Sequence, residues 1–132
     1  MIMLDTQVLV WWVNGDTQRL SIPAREAIEA ELPNGEINLS AMTGWEIAML
    51  VRSGRMALGQ DVAAWLALVG QIPAVKFIAV DNEIAVKSVE LPGAFHKDPA
   101  DRLIVATARK LGLALVTADE KIQNYPHIRT IW

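Results

Sequence analysis

The sequence predicts a single α/β domain over residues 1–132, in which helices cover both faces of a central, mostly parallel sheet of four to five strands. Three observations predict this fold. Strand-like and helical segments alternate along the chain, and each strand-like segment is a short, continuous apolar run, as in a sheet buried on both faces. Hydrophobic residues make up 52% of the 132 residues, which is enough for one sizeable core.

The first predicted strand runs from Met1 to Leu4 and is ended by Asp5. The later predicted strands have the same short apolar character, and they occupy residues 36–40, 76–80, 114–117 and 128–132.

The predicted helices are indicated by their end signals and their periodicity. Ser21 is a favourable N-cap with Pro23 in the first turn, and Gly112 is a typical helix stop. Asp61 precedes a stretch in which apolar residues recur at i, i+3, i+4 and i+7. The predicted helices occupy residues 6–13, 21–32, 41–54, 82–91 and 98–111, with another after Asp61 and a short one opened by Asp119.

Composition narrows the class of protein. A formal net charge of −3 argues against a protein that coats nucleic acid without specificity, but it leaves room for a nuclease whose acidic site is neutralised by metal. The absence of cysteine excludes disulfides and thiolate metal sites. The apolar run from Val8 to Val13 is far shorter than the roughly 18 residues of a membrane span, and Asp5 lies where a signal peptide needs basic residues. We therefore expect a cytoplasmic protein with no membrane association.

Carboxylates follow the ends of predicted strands. Asp5 directly follows the first strand, Asp119 lies two residues beyond the fourth, and Asp98 and Asp101 begin the helix that leads into the fourth strand. Ligands of open parallel sheets bind outside the carboxyl ends of the strands, so these side chains are expected to converge there. Each also has a structural interpretation: Asp5, Asp98 and Asp119 are good N-caps, and Asp101 lies in a first helical turn, where the helix dipole favours an anion.

Glu46 is harder to explain by helix capping. It lies between Trp45 and Ile47 and shares a helical face with Met49 and Leu50. A carboxylate in such a setting needs a partner, and no basic residue lies three or four positions away. We expect the partner to be either a metal ion or a distant arginine.

Converging carboxylates repel one another unless a cation offsets them. Hard oxygen ligands without cysteine select Mg²⁺ or Mn²⁺ rather than Zn²⁺, and such a site suits phosphodiester cleavage by a metal-bound water. Of the two histidines, His127 is expected at the surface near the last strand. His96 either fixes the loop before the helix at 98–111 or contacts substrate.

Four sequence motifs carry a family resemblance. "LDT" at 4–6, "WEIA" at 45–48, "FHKDPADRLIVATA" at 95–108 and "LVTAD" at 115–119 resemble the signature regions of the PIN-domain family. They are similar in particular to the VapC ribonuclease toxins of bacterial type II toxin–antitoxin pairs. The resemblance extends in order over nearly the whole chain.

The resemblance implies a three-layer α/β/α PIN domain and an Mg²⁺- or Mn²⁺-dependent endoribonuclease. It also implies a VapB-type antitoxin that occupies the cleft and a second copy of the chain as a homodimer partner. The acidic metal-site positions of the family match Asp5, Glu46, Asp101 and Asp119, with Asp98 as an auxiliary carboxylate. Supporting positions match Thr6 and Thr117, two hydroxyls beside the metal, and Arg102, whose role is either structural or a phosphate contact.

Other functions compete with this one. Haloacid dehalogenase-type phosphatases need a second Asp two residues after the first, where this chain has Gln7. Response-regulator receiver domains need an acidic pair after the first strand and an Asp after the third; Asp81 fits the latter, but Asp5 is alone. A catalytically silent PIN domain that acts only as a binding module also fits the sequence. The tryptophans at 11, 12, 45 and 65 are expected mostly in the core, with an interface as the alternative.

Overall fold

The computed structural model describes residues 1–132 and contains one five-stranded sheet in which all neighbouring strands are parallel. The strand order is β3-β2-β1-β4-β5. This arrangement confirms the predicted α/β class. The strands are β1 (Ile2–Leu4), β2 (Ile37–Ser40), β3 (Val75–Ile78), β4 (Ala114–Val116) and β5 (Thr130–Ile131).

Seven α-helices connect the strands, together with one 3₁₀ turn at Thr17–Arg19 that the sequence did not indicate. The predicted caps are confirmed: Ser21 and Asp61 accept hydrogen bonds from the backbone of the first helical turn, and Gly112 ends its helix at φ +67°. The helices are α1 (Thr6–Val13), α2 (Ile22–Glu31), α3 (Ala41–Arg52), α4 (Val62–Gly70), α5 (Asn82–Val89), α6 (Pro99–Leu111) and α7 (Glu120–Gln123). None of them has the length and apolar composition needed to cross a bilayer.

The sheet separates two hydrophobic cores, and the alternation of side chains along β1 shows how. Ile2 and Leu4 point into a core of 15 buried residues shared with α1, α2, α3 and α4. Met3 points the other way, into a core of 11 buried residues shared with α5 and α6. Because successive strand residues face opposite sides, a three-residue strand anchors both helical layers. The three-layer prediction is therefore confirmed.

The third strand departs from the prediction in position and in burial. It was expected at 76–80 as a buried run, but it spans Val75–Ile78, and its two central residues, Lys76 and Phe77, are exposed. The reason is topological: β3 is an edge strand and pairs only with β2. An edge strand has one neighbour rather than two and is less covered by helices, so its burial cannot be read from apolar composition alone. Several other elements are shorter than predicted by one to three residues, as at 41–54 and 128–132.

Candidate metal centre at the switch point of the sheet

The strand order reverses direction between β1 and β4, and the predicted acidic residues gather at that point. A crevice of about 310 Å³ opens there, at the carboxyl ends of these two strands. Its lining includes all four residues expected to hold metal. The lining residues are Asp5, Thr6, Gln7, Trp11, Glu46, Leu50, Asp101, Ala118 and Asp119.

Asp5 caps a helix and also faces the crevice. Its Oδ1 accepts a 2.9 Å hydrogen bond from the Thr6 amide at the start of α1, and its Oδ2 accepts a 2.7 Å bond from the Thr117 hydroxyl. Burial raises the pKa of the Asp5 carboxyl, with the charges of Asp119 and Asp98 adding to the rise, although both hydrogen bonds favour the ionised form. Capping and membership in the acidic cluster are therefore compatible for this residue.

Glu46 enters the crevice from α3, where a hydroxyl contacts it. The Thr6 hydroxyl donates a 2.7 Å hydrogen bond to Glu46 Oε1, and no arginine lies within salt-bridge distance. Of the two expected partners the distant arginine is ruled out, and the metal ion stays a prediction; the structure adds a neutral hydroxyl from α1. Burial raises the pKa of Glu46, since one hydrogen bond does not replace the lost hydration.

Asp98 and Asp101 both lie at the N-terminal end of α6, as predicted. Asp98 is the N-cap and accepts a 3.0 Å hydrogen bond from the Asp101 amide, so the cap orients the turn that carries Asp101. Burial raises the pKa of Asp101 to about 7, and the neighbouring charges of Asp5, Asp98, Glu46 and Asp119 add to the rise. A metal-free Asp101 is thus poised between protonated and ionised forms near neutral pH.

His96 and Asp119 complete the cluster beside Asp101. His96 Nε2 lies 3.1 Å from Asp101 Oδ2, and one ligand atom from each of His96, Asp101 and Asp119 falls within 4.8 Å of the others. Asp119 is the N-cap of α7, and its amide donates to the Thr117 hydroxyl oxygen. The His96 ring also packs against the Phe95 ring at a tilt of 55°, with ring centroids 4.5 Å apart, in the loop before α6. Contact of His96 with substrate stays a prediction.

The donor set fits a divalent cation. None of the lysine or arginine side chains forms a salt bridge with Asp5, Glu46, Asp101 or Asp119, so their charges lack an internal partner other than His96. Buried carboxylates that repel one another are stabilised by a bound cation, so this set of oxygen ligands fits a divalent metal ion.

Arg102 has a structural role. Its guanidinium donates to the carbonyl oxygens of Ser88 and Val89 at the end of α5, and to those of Phe95 and His96 in the loop before α6, at 2.8 to 3.3 Å. A cation at a helix C-terminus satisfies carbonyls that the helix leaves unpaired. Arg102 therefore fixes the loop that carries His96 and Asp98, and its donors are directed at backbone rather than at a phosphate.

Replacing Arg102 with lysine should lower the free energy of unfolding by about 2–4 kcal/mol, because one ammonium group cannot reach four carbonyls that a planar fork reaches together. Urea unfolding of the protein kept metal-free with EDTA (the chelated protein) measures the change. Arg55→Lys, an exposed position at which the side chain makes no hydrogen bond, is the matched control and should stay within about 0.5 kcal/mol of the unaltered protein. An Arg102→Lys midpoint equal to that of the control would contradict the structural role.

The tryptophans and His127 mostly follow expectation. Trp65 is buried, and Trp11 and Trp12 pack half-buried against the larger core. Trp45 is the exception, with 54% of its surface exposed on α3. His127 is exposed in the loop that precedes β5, at the surface near the last strand as predicted.

Sequence reasoning missed Thr43. Its buried hydroxyl lies 2.9 Å from the Thr6 hydroxyl that binds Glu46. A signal was present: Thr43 precedes Glu46 by three residues, so both lie on one face of the helix. The contact with Thr6, 37 residues away, could not be read from the sequence.

Comparison with known proteins identifies a family and related folds. The PIN domain family matches residues 2–128. Ribonuclease VapC22 of Mycobacterium tuberculosis is 36% identical over 133 aligned residues, covering 99% of this chain and 98% of that protein. Two solved structures share the fold: VapBC2 from Rickettsia felis bound to a promoter DNA fragment (TM-score 0.69, 20% identity, 98% and 97% of the two chains) and M. tuberculosis VapC20, a Sarcin-Ricin loop cleaving toxin (TM-score 0.66, 18% identity, 98% and 99%).

A family match over nearly the whole chain and a relative of this identity lead to one conclusion: the chain belongs to the PIN-domain family.

Proposed function

We propose that this protein is a VapC-type toxin, an Mg²⁺- or Mn²⁺-dependent endoribonuclease that cleaves RNA phosphodiester bonds and is neutralised by an antitoxin. The observation that carries the proposal is the meeting of Asp5, Glu46, Asp101 and Asp119 in one open crevice without a lysine or arginine partner. The 36% identity to ribonuclease VapC22 over nearly the whole chain supports the same activity.

The proposed roles follow from the contacts. Asp5, Glu46, Asp101 and Asp119 would hold one or two ions, with Asp98 close by at the cap of α6. A bound divalent ion supplies a polarised water as nucleophile and neutralises charge on the phosphate. Both Asp5 oxygens accept hydrogen bonds, from the Thr6 amide and the Thr117 hydroxyl, and the Thr6 hydroxyl holds Oε1 of Glu46. These bonds orient the two carboxylates, and Oε2 of Glu46 has no protein partner and stays free for the ion.

The proposed partners are an antitoxin of the VapB type and a second copy of the chain. Several of the similar solved structures are toxin–antitoxin complexes, including VapBC2 from R. felis. On this chain, Trp45 and Met49 are 54% and 46% exposed on α3, the helix that also carries Glu46. An exposed tryptophan and methionine on one helix are typical of protein interfaces, so this face is where a partner would cover apolar surface next to the crevice.

Topology argues against the receiver-domain alternative. In receiver domains, with the strand order 2-1-3-4-5, the first strand lies beside the third. In this chain β1 lies between β2 and β4, and β3 is at the sheet edge. Asp81 after β3 caps α5 and binds Lys110 at 3.0 Å, away from Asp5. A catalytically silent binding module would have the same crevice, so it differs from the proposed nuclease only in lacking RNA cleavage.

Purified protein should cleave single-stranded RNA when Mg²⁺ or Mn²⁺ is present and should stop when EDTA is added in excess. Cleavage should return when either ion is restored, since the carboxylates would again be offset by a cation. Gel analysis of a labelled RNA under these conditions measures the effect, with a DNA of the same sequence as a comparison substrate. A protein that binds Mn²⁺ and RNA yet leaves the RNA intact would favour the binding module, and cleavage that persists in EDTA would contradict the metal centre.

A further inference from the structure

We infer that Thr43 is a positioning residue that orients Glu46 for metal binding through the hydroxyl of Thr6. The inference deepens the proposed function and rests on it, because a fixed Glu46 matters only if this carboxylate holds a cation. Three side chains from two helices form the relay: Thr43 and Glu46 on α3 and Thr6 on α1.

The two hydrogen bonds of the relay are short, and the inner one is buried. Thr43 Oγ1 and Thr6 Oγ1 lie 2.9 Å apart, and the Thr6 hydroxyl lies 2.7 Å from Glu46 Oε1. Thr43 is fully buried and Thr6 is 4% exposed, whereas the bond to Glu46 is partly buried at the wall of the crevice. Hydrogen bonds in such surroundings are stronger than in water, and consecutive bonds polarise one another.

The direction of the relay follows from counting protons. An ionised Glu46 can only accept, so the single hydroxyl proton of Thr6 is committed to Oε1. The Thr6 oxygen can then interact with Thr43 only as an acceptor, which makes the Thr43 hydroxyl the donor. Donation to Thr6 holds its oxygen in the orientation that points its own proton at Glu46. Oε2 of Glu46 has no hydrogen-bond partner within the protein and stays available for a cation.

A second buried threonine in the interior of a helix makes a different, local hydrogen bond. Thr107 on α6 is also buried, and its hydroxyl donates at 2.7 Å to the carbonyl oxygen of Leu103, four residues earlier in its own helix. That local bond is the common one for a helical threonine. The Thr43 hydroxyl is instead hydrogen-bonded to Thr6, 37 positions away, whose hydroxyl donates to Glu46.

The experiment compares Mn²⁺ binding by the full chain, without RNA, in four proteins: unaltered, Thr43→Val, Thr43→Ser and Thr107→Val. Valine keeps the volume and removes the hydroxyl, whereas serine keeps the hydroxyl. We expect the Mn²⁺ dissociation constant, measured by electron paramagnetic resonance of free Mn²⁺, to rise about threefold to tenfold in Thr43→Val. This is the effect expected from the loss of one net hydrogen bond. Thr43→Ser and Thr107→Val should stay within about twofold of the unaltered protein.

Cleavage rates separate positioning from general damage. In Thr43→Val the Mn²⁺ concentration for half-maximal cleavage should rise by the same factor, while the rate at saturating Mn²⁺ stays within about twofold, because the carboxylate is loosened and not removed. Unaltered Mn²⁺ affinity in Thr43→Val, or an equal loss in Thr43→Ser or Thr107→Val, would overturn the relay alone. A failure of the unaltered chain to bind Mn²⁺ would overturn the metal centre and the relay together.

Discussion

An Asp5→Asn protein should lose metal-dependent RNA cleavage by at least about a hundredfold while remaining folded. Asp5 is the most buried acidic residue of the crevice, and both of its oxygens are held, by the Thr6 amide and the Thr117 hydroxyl. An asparagine keeps the shape and the oxygen that caps α1, but it removes the negative charge that would attract the cation. The initial rate of cleavage at fixed Mg²⁺ measures the loss.

The same substitution should not destabilise the chelated protein appreciably. Because burial raises the pKa of Asp5, its ionised form is disfavoured in the fold, and asparagine removes that cost while disturbing the bond to Thr117. We expect the free energy of unfolding at pH 7 to be unchanged or higher by about 1 kcal/mol. Loss of cleavage in a protein of equal stability then reports on chemistry rather than on folding.

Asp61→Asn is the matched control for this experiment. Asp61 is also an N-cap, accepting a 3.1 Å hydrogen bond from the Ala64 amide at the start of α4, but it is exposed and lies outside the crevice. Its asparagine variant should cleave at the rate of the unaltered protein. If Asp5→Asn and Asp61→Asn cleaved equally fast, the proposed metal centre would be refuted.

Stability of the chelated protein should fall as pH rises from 5 to 7. The pKa of Asp101 is raised from 3.8 to about 7 in the fold, so in this window the unfolded chain has released a proton that the folded chain still holds. Raising the pH then favours the unfolded state, by at most about 1.4 kcal/mol per pH unit for one proton. The raised pKa values of Asp5 and Glu46 act in the same direction. The total loss between pH 5 and 7 should be about 2 kcal/mol.

Groups with lowered pKa values do not mask this trend. The pKa values of Asp81 and Glu31 lie below their ordinary values of 3.8 and 4.5, so the stability they contribute is lost only on acidification below this window. Urea unfolding in EDTA at pH 5, 6 and 7 measures the trend, and Asp101→Asn should flatten it. Saturating Mn²⁺ should reverse it, because the cation binds ionised carboxylates. A chelated protein that becomes more stable from pH 5 to 7 would contradict the acidic cluster.

The sequence predicted those features that depend on local signals. Asp5, Asp98 and Asp119 could be placed at helix starts because caps act over a few residues, and Asp101 then followed from its position in the first turn of α6. Short apolar runs indicated a parallel sheet because such strands are buried on both faces. Local signals left open whether the partner of Glu46 is a metal ion or an arginine. Only the resemblance to PIN domains predicted that Glu46 belongs to the metal site.

Features that depend on distant contacts could not be predicted. The order β3-β2-β1-β4-β5 decides that Lys76 and Phe77 lie on an edge strand, and nothing within residues 76–80 records it. Thr6 reached Glu46 only because α1 and α3 pack side by side, and Arg102 reached Ser88 only because α5 and α6 do. Which of the four tryptophans would lie outside the core could not be predicted either, and it is Trp45 that faces outward from α3.

The hydrogen bond from Thr117 to Asp5 joins residues 112 positions apart, and this separation affects when the site can form during synthesis. A chain growing on the ribosome makes Asp5 and β1 first, but β4, Thr117 and Asp119 arrive only after more than a hundred further residues. Domains fold as units during synthesis, and contacts of long sequence separation close late. A partly synthesised chain therefore lacks both a neighbour of β1 and part of the acidic crevice, so the proposed metal centre can form only when synthesis is nearly done.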